Sequence, residues 1–123
     1  MDIQISNVYI MQASNGLIKI GKANNVEIRR LQLEQNANMF NEGERVTLKV
    51  AKVYPCITDV YAFAMEAGLH EHFAEYQAGT SSREVFRIEL SEVLKIADTW
   101  HRAFTVAQSI KYHEVMFKSK IKA

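Results

Sequence analysis

Val8-Tyr9-Ile10-Met11-Gln12-Ala13-Ser14-Asn15-Gly16-Leu17-Ile18-Lys19-Ile20-Gly21 is the stretch on which the fold turns. Two short runs rich in β-branched and aromatic residues flank Ser14-Asn15-Gly16, whose side chains and backbone freedom suit a tight reversal. The reading is an antiparallel hairpin. Tyr9 and Lys19 then sit on the two arms and can face the same side. Gly21 closes the second arm, ahead of Lys22 and a helix. A glycine there lets the backbone approach a phosphate closely, and a helix N-terminus offers unpaired N–H groups to an anion.

Outward from the hairpin, Asn24 or Asn25 caps a helix carrying Val26, Arg29, Arg30, Leu31 and Leu33, which fades at Asn36-Ala37-Asn38. Glu42-Gly43-Glu44 is a turn. From Val46 to Tyr54, Val46, Leu48 and Val50 alternate with Thr47, Lys49 and Ala51, the period of a strand. Thr58 is the expected N-cap of a second helix running to about Tyr76, with Asp59 in its first turn. Val60, Phe63, Leu69, Phe73 and Tyr76 are expected on its sheet-facing side. Gly79-Thr80-Ser81-Ser82 reads as a loop and Glu84 to Ile88 as a short strand or extended edge. A long third helix is expected from Leu90 to about Tyr112, with Ser91 as cap and Leu94, Ala97, Trp100, Phe104 and Ala107 on its buried face. The order ββαβαβα predicts an α/β (α+β) domain. Its sheet is small, mixed and mainly antiparallel, of about three strands, with helices packed on it and a long C-terminal helix.

Composition bounds what such a chain can do. Its 123 residues are 48% hydrophobic and 24% charged, which suits one soluble domain spanning 1–123 and argues against disorder. A chain of this size buries roughly two-thirds of the surface its unfolded form exposes. No apolar run is long enough for a membrane span, and Met1-Asp2-Ile3-Gln4 lacks the features of a signal peptide. The single cysteine, Cys56, forms no internal disulfide, so a cytoplasmic setting is expected, the host's cytoplasm for a viral protein. Lys+Arg 15 against Asp+Glu 14 leaves a net charge of +1, which excludes a uniformly basic coat. The charges are nevertheless segregated. Lys19 to Arg30 is basic, Thr58 to Tyr76 is acidic, and Lys111 to the end is basic again. A polyanion bound beside a cation-binding carboxylate requires that pattern.

Glu66 lies mid-helix among core residues, an expensive place for an isolated carboxylate. His70 follows one turn later and can share its face. A zinc site at His70-Glu71-His72 is not expected, because residues two apart on a helix diverge by some 200 degrees and no second cysteine exists. The scattered methionines follow no helical period.

In this arrangement the sequence resembles the GIY-YIG nuclease superfamily. Asn7-Val8-Tyr9 stands for the first motif and Lys19-Ile20-Gly21 for the second, about ten residues later. Arg29 follows Gly21 by eight positions, as the family arginine does. Ala64-Met65-Glu66-Ala67-Gly68-Leu69-His70 supplies the mid-helix glutamate. Closest is the small phage-type branch, with its IKIG second motif (Ile18 to Gly21), RRLQL-like helix (Arg29 to Leu33), E-x-x-LH-x-x-F helix (Glu66 to Phe73) and GEWF-like strand (Arg83 to Phe86). The likeness spans about Asn7 to Ile88, a 7–88 core followed by 90–123 as C-terminal helix and basic tail. Four departures stand out. Asn7 replaces a glycine, Lys19 a tyrosine, Val85 a tryptophan, and Leu33 occupies a position often held by histidine or tyrosine.

The resemblance implies a metal-dependent endonuclease that hydrolyses DNA phosphodiesters by a single-metal in-line mechanism. Glu66 would hold Mg²⁺ or Mn²⁺, Tyr9 and Lys19 would help deprotonate water, and Arg29 would stabilise phosphoryl charge. His70 and Glu84 are accessory candidates. Lys22, Arg30, Lys118, Lys120 and Lys122 are the expected nucleic-acid contacts, and the apolar remainder of the last helix is expected to meet a second copy in a homodimer. The alternative is an inactive module of the same fold acting by nucleic-acid or protein binding, such as a phage or mobile-element interaction protein. Lys19 and Leu33 are its support.

Overall fold

The run Val8-Tyr9-Ile10-Met11 has no polar face because it forms the centre of the sheet, covered on both sides. β1 (Ser6–Ala13) pairs antiparallel with β2 (Ile18–Ala23) on one flank and with β3 (Leu48–Cys56) on the other. β4 (Val85–Phe86) adds antiparallel to β2, giving the order β3-β1-β2-β4. Among the described residues the sheet therefore has four strands, all antiparallel, in line with the small, mainly antiparallel sheet of about three strands that was expected; the addition is the two-residue β4. This computed structural model describes residues 6–36, 46–80 and 82–122, with side chains of the last helix through residue 107. The turn expected at Glu42-Gly43-Glu44 and part of the fade at Asn36-Ala37-Asn38 lie outside the described residues.

The β1–β2 turn works as its residues suggest. Gly16 takes φ +90, a conformation that disfavours any side chain, and the Asn15 carboxamide oxygen accepts the Leu17 N–H at 3.2 Å. Alternation along the hairpin sends Val8, Ile10, Ile18 and Ile20 to one face and Tyr9, Met11, Lys19 and Gly21 to the other. β3 changes phase midway. Its register shifts opposite Ile10/Met11, leaving Ala51 as the extra residue of a bulge. Leu48 and Val50 consequently face with Tyr9 and Met11, while Tyr54 and Cys56 face with Val8 and Ile10.

α1 (Val26–Glu34) covers the Tyr9 face through Leu33, and its N-cap is Asn25, which accepts the Ile28 N–H at 3.0 Å. α2 (Asp59–His72) and α3 (Leu90–Lys122) cover the other face. Thr58 caps α2 by accepting the Tyr61 N–H. The buried stripe of α2 is Ala62, Met65 and Leu69, continued by Phe73. Val60, Phe63 and Tyr76, expected on the sheet, are 74%, 60% and 43% exposed. Leu69 and Phe73 set the inward direction. Three- and four-residue steps back from them reach Met65 and Ala62, which turns Phe63 about 100 degrees away. α2 also stops at His72, and a separate 3₁₀ turn, Ala74–Tyr76, follows.

α3 begins one residue before the expected cap. Ser91 lies inside the first turn, and the Glu89 carbonyl accepts the N–H groups of Glu92 and Val93. The helix runs to Lys122 rather than to about Tyr112, since no glycine or proline interrupts it. Val93 and Ala97 are buried; Leu94, Trp100 and Phe104 are partly so, and Ala107 is exposed. Trp100 lies against Gly68, where a Cβ would stand 2.5 Å from its ring. The Tyr54 hydroxyl donates to Asp98 at 2.5 Å, and His101 Nε2 donates to the Pro55 carbonyl at 2.8 Å. The side chains of Lys118, Lys120 and Lys122 lie outside the described residues. Among the described residues no helix is long and apolar enough to cross a membrane.

Candidate active site

β4 covers only Ile18 and Lys19, so β2 beyond Lys19 has an open edge whose backbone groups need other partners. They find them in the Glu84 backbone and in side chains from both layers. The Ile20 N–H donates to the Glu84 carbonyl at 3.1 Å. The Ile20 carbonyl accepts from His70 Nε2 at 2.8 Å and from Lys19 Nζ at 3.3 Å. His70 arrives with α2 from one face of the sheet and Lys19 from the other. The edge is where two layers meet.

Lys19 is the most buried charge of the site, 1% exposed, and its ammonium lies 2.5 Å from Glu84 Oε2 and 5.4 Å from the Tyr9 ring centroid. Tyr9 is likewise buried, and its phenol crosses directly over Gly21. A Cβ on Gly21 would overlap Tyr9 Oη and Cζ and stand 2.9 Å from Lys19 Nζ. The space expected to admit a phosphate is thus taken by Tyr9 and Lys19, and the glycine is a steric requirement of that pair.

Glu66 and His70 occupy successive turns of α2, and Glu84 faces them from the turn leading into β4. One donor atom from each lies within 4.8 Å of the others. Burial pushes the Glu66 carboxyl above the usual range; the Glu84 charge adds to this, while His70, Lys19 and Lys22 oppose it. Burial acts the same way on Glu84, yet the hydrogen bond and charge of Lys19, with His70 and Arg29, outweigh it and hold that carboxyl below the usual range. Two neighbouring carboxyls are therefore driven in opposite directions. The Ile20 carbonyl can only accept, so His70 Nε2 carries a proton.

Arg29 acts on Glu84 electrostatically and its Nη1 meets Gln32 at 3.4 Å. Arg30 points elsewhere. Glu27 and Glu34 both pair with its guanidinium, which also reaches the Leu48 carbonyl. An arginine so engaged anchors α1 to β3, which leaves its expected contact with nucleic acid without a free fork. Lys22 is held at 2.8 Å by Asp59, which also accepts from Ser6 Oγ at 2.8 Å. Lys22 and Ser6 hold the Asp59 carboxyl below the usual range against the opposing effect of burial.

The structure thus brings Glu66, His70 and Glu84 together with Lys19, and Lys22 and Arg29 act on these carboxylates electrostatically. Tyr9 lies buried on the face opposite α2 and meets the site only through Lys19. His70 and His72 diverge as expected: His72 packs on Phe73 and Trp100. Leu33 is core beneath Tyr9 and Met11, and Val85 is the buried pairing partner of Lys19. Asn7 Nδ2 donates to the Ala23 and Asn24 carbonyls, tying the end of β2 to the start of α1. The sequence reading missed Asp59 as anchor of Lys22; only its place in the first turn of an acidic helix hinted at it. Cys56 stays a thiol, its pKa raised by burial.

Fold and site together define a small α+β domain with carboxylates, an imidazole and cations converging on an open sheet edge. The chain belongs to the T5orf172 domain family, whose model matches residues 6–101. That family is phage-associated and related to GIY-YIG-like nuclease-type folds. The match runs beyond Ile88 into the first turns of α3, the part that packs Val93, Ala97 and Trp100 on the domain. No curated protein and no solved structure matches the chain.

Proposed function

We propose that the domain is a divalent-metal-dependent endonuclease acting on DNA phosphodiester bonds. The observation that carries this is the convergence of Glu66, His70 and Glu84 within 4.8 Å, ringed by Lys19, Lys22 and Arg29. The donor set fits Mg²⁺ or Mn²⁺. Glu66 supplies a hard oxygen, and among the described residues no hydrogen bond or ion pair engages it. His70 and Glu84 would supply the further donors. A bound divalent ion supplies Lewis-acid stabilisation of the scissile phosphate and leaving oxygen.

The chain's own residues do the rest. Arg29 meets the charge that grows on the phosphoryl oxygens in the transition state. Lys19 and Tyr9 are buried, so their influence reaches solvent through Glu84, whose side chain is 41% exposed. Glu84, held ionised by Lys19, accepts a hydrogen bond from the attacking water and orients it for in-line displacement. The products expected are a 5′-phosphate and a 3′-hydroxyl.

A second reading, a binding module without turnover, draws on Lys19 and Leu33. Lys19 replaces a phenol with an ammonium already matched to Glu84, and Leu33 puts an apolar core residue where a polar one is common. One experiment separates the two. Supercoiled, linear and single-stranded DNA and RNA are incubated with pure protein in Mg²⁺, Mn²⁺ or chelator. The nuclease reading expects DNA cleavage with metal, none with chelator and none with Glu66→Gln. Binding with no cleavage under any metal would overturn it.

A further inference from the structure

The geometry points to Phe63 as a stacking platform for an unpaired base of the substrate strand, beside Glu66. The inference rests on the nuclease reading and specifies its substrate: a strand with at least one unpaired nucleotide at the site. Phe63 lies one helical turn before Glu66 on the same side of α2 and is 60% exposed. Its neighbour one turn earlier, Val60, is 74% exposed, so the apolar surface continues away from the carboxylate. Among the described residues, neither side chain belongs to a core cluster.

What covers the ring is indicated by charge. Lys22 Nζ stands 6.0 Å from the Phe63 ring centroid, and the same ammonium acts on Glu66. A cation for a phosphate, an aromatic face for a base and a carboxylate thus lie side by side in one patch. The Asp59 partner of Lys22 is 68% exposed, so an arriving phosphate can displace it at little cost. An apolar protein partner would have to desolvate Lys22, Asp59 and Glu66 together, which disfavours that occupant. A paired base inside a duplex keeps its π-face stacked and cannot offer it to Phe63; an unpaired one can.

The test uses the full chain in a Glu66→Gln background, which retains the surface and does not cut. The probes are a single-stranded DNA oligonucleotide carrying 2-aminopurine and its blunt duplex. The background protein is expected to bind the single strand and quench the probe. Adding Phe63→Ala is expected to weaken that binding by roughly five- to a hundredfold and abolish the quenching, while Phe63→Trp retains both. Duplex affinity is expected to change by less than about twofold, within the range left when stacking is not made. Equal single-strand affinity and quenching with Phe63→Ala would overturn the platform and leave the nuclease reading standing. Failure of both the background protein and the wild type to bind either oligonucleotide would overturn both.

Discussion

The phenol of Tyr9 lies across the α-carbon of Gly21, its directly opposed partner in the β1–β2 ladder, and fills the space a side chain there would need. This one contact places the buried phenol next to Lys19 Nζ and so prepares the whole edge. Gly21→Ala is expected to lower stability by about 1–3 kcal/mol, the usual cost of forcing an extra methyl into a packed site. Cleavage is expected to fall by about a hundredfold, because Tyr9 and Lys19 must both move. Thermal melts and initial rates on the same preparation would check this. A variant with ordinary activity would show that the Tyr9–Lys19 arrangement is dispensable.

Lys19 and Glu84 are 65 positions apart and depend on each other unequally. Removing Glu84 strands an ammonium that is 1% exposed, whereas removing Lys19 leaves a carboxylate that is 41% exposed and can be rehydrated. Glu84→Ala is therefore expected to cost about 2 kcal/mol and Lys19→Met about 1 kcal/mol or less, with a coupling energy in a double-mutant cycle of about 1 kcal/mol. The pH dependence follows from the lowered Glu84 pKa. A depressed carboxyl stabilises the fold fully above the ordinary carboxylate range, and the contribution is lost as pH falls through its folded pKa. The gap between wild type and Glu84→Ala in denaturant titrations should shrink accordingly toward acid. Equal costs for the two single variants would contradict the burial asymmetry.

The hairpin, the Thr58 cap and the one-turn spacing of Glu66 and His70 were legible because each rests on local signals or fixed spacing. What was not legible involves partners distant in sequence. The Ala51 bulge reverses the faces of β3 and depends on the register against Ile10 and Met11. The inward stripe of α2 passes through Ala62 and Met65, and larger apolar residues at Val60 and Phe63 point away from it. Size alone suggested the opposite face. The Glu84–Lys19 pair required knowing that β4 ends where it does, which no motif states.

Gly68 and Trp100 fix α3 on α2. A Cβ at Gly68 would sit 2.5 Å from Trp100 Cζ3, a contact with the body of a large ring and not a flexible tip. In an open helix, Gly→Ala would gain about 1 kcal/mol of propensity. Overpacking costs about 1–3 kcal/mol, so Gly68→Ala is expected to be net destabilising. It should also red-shift the emission of the single tryptophan as the ring is pushed toward water. Stabilisation with unchanged emission would show that α3 docks without this contact.

Glu66 is the carboxylate whose removal should help the fold while ending its chemistry. Burial raises its pKa, and the Glu84 charge adds to that against His70, Lys19 and Lys22. A raised carboxyl favours the folded state at acid pH, and that advantage is lost as pH rises through the folded pKa, leaving the ionised form a liability near neutrality. Glu66→Gln removes the liability and keeps the shape. In chelator at neutral pH its thermal midpoint should therefore exceed that of the wild type. The difference should narrow as pH falls through the carboxylate range, where the native side chain becomes neutral too. Added Mn²⁺ should stabilise the wild type and not the variant, because a ligand that binds only the folded state raises its apparent stability. A Glu66→Gln midpoint below wild type in chelator, at every pH, would mean that the carboxylate serves the fold and not a cation.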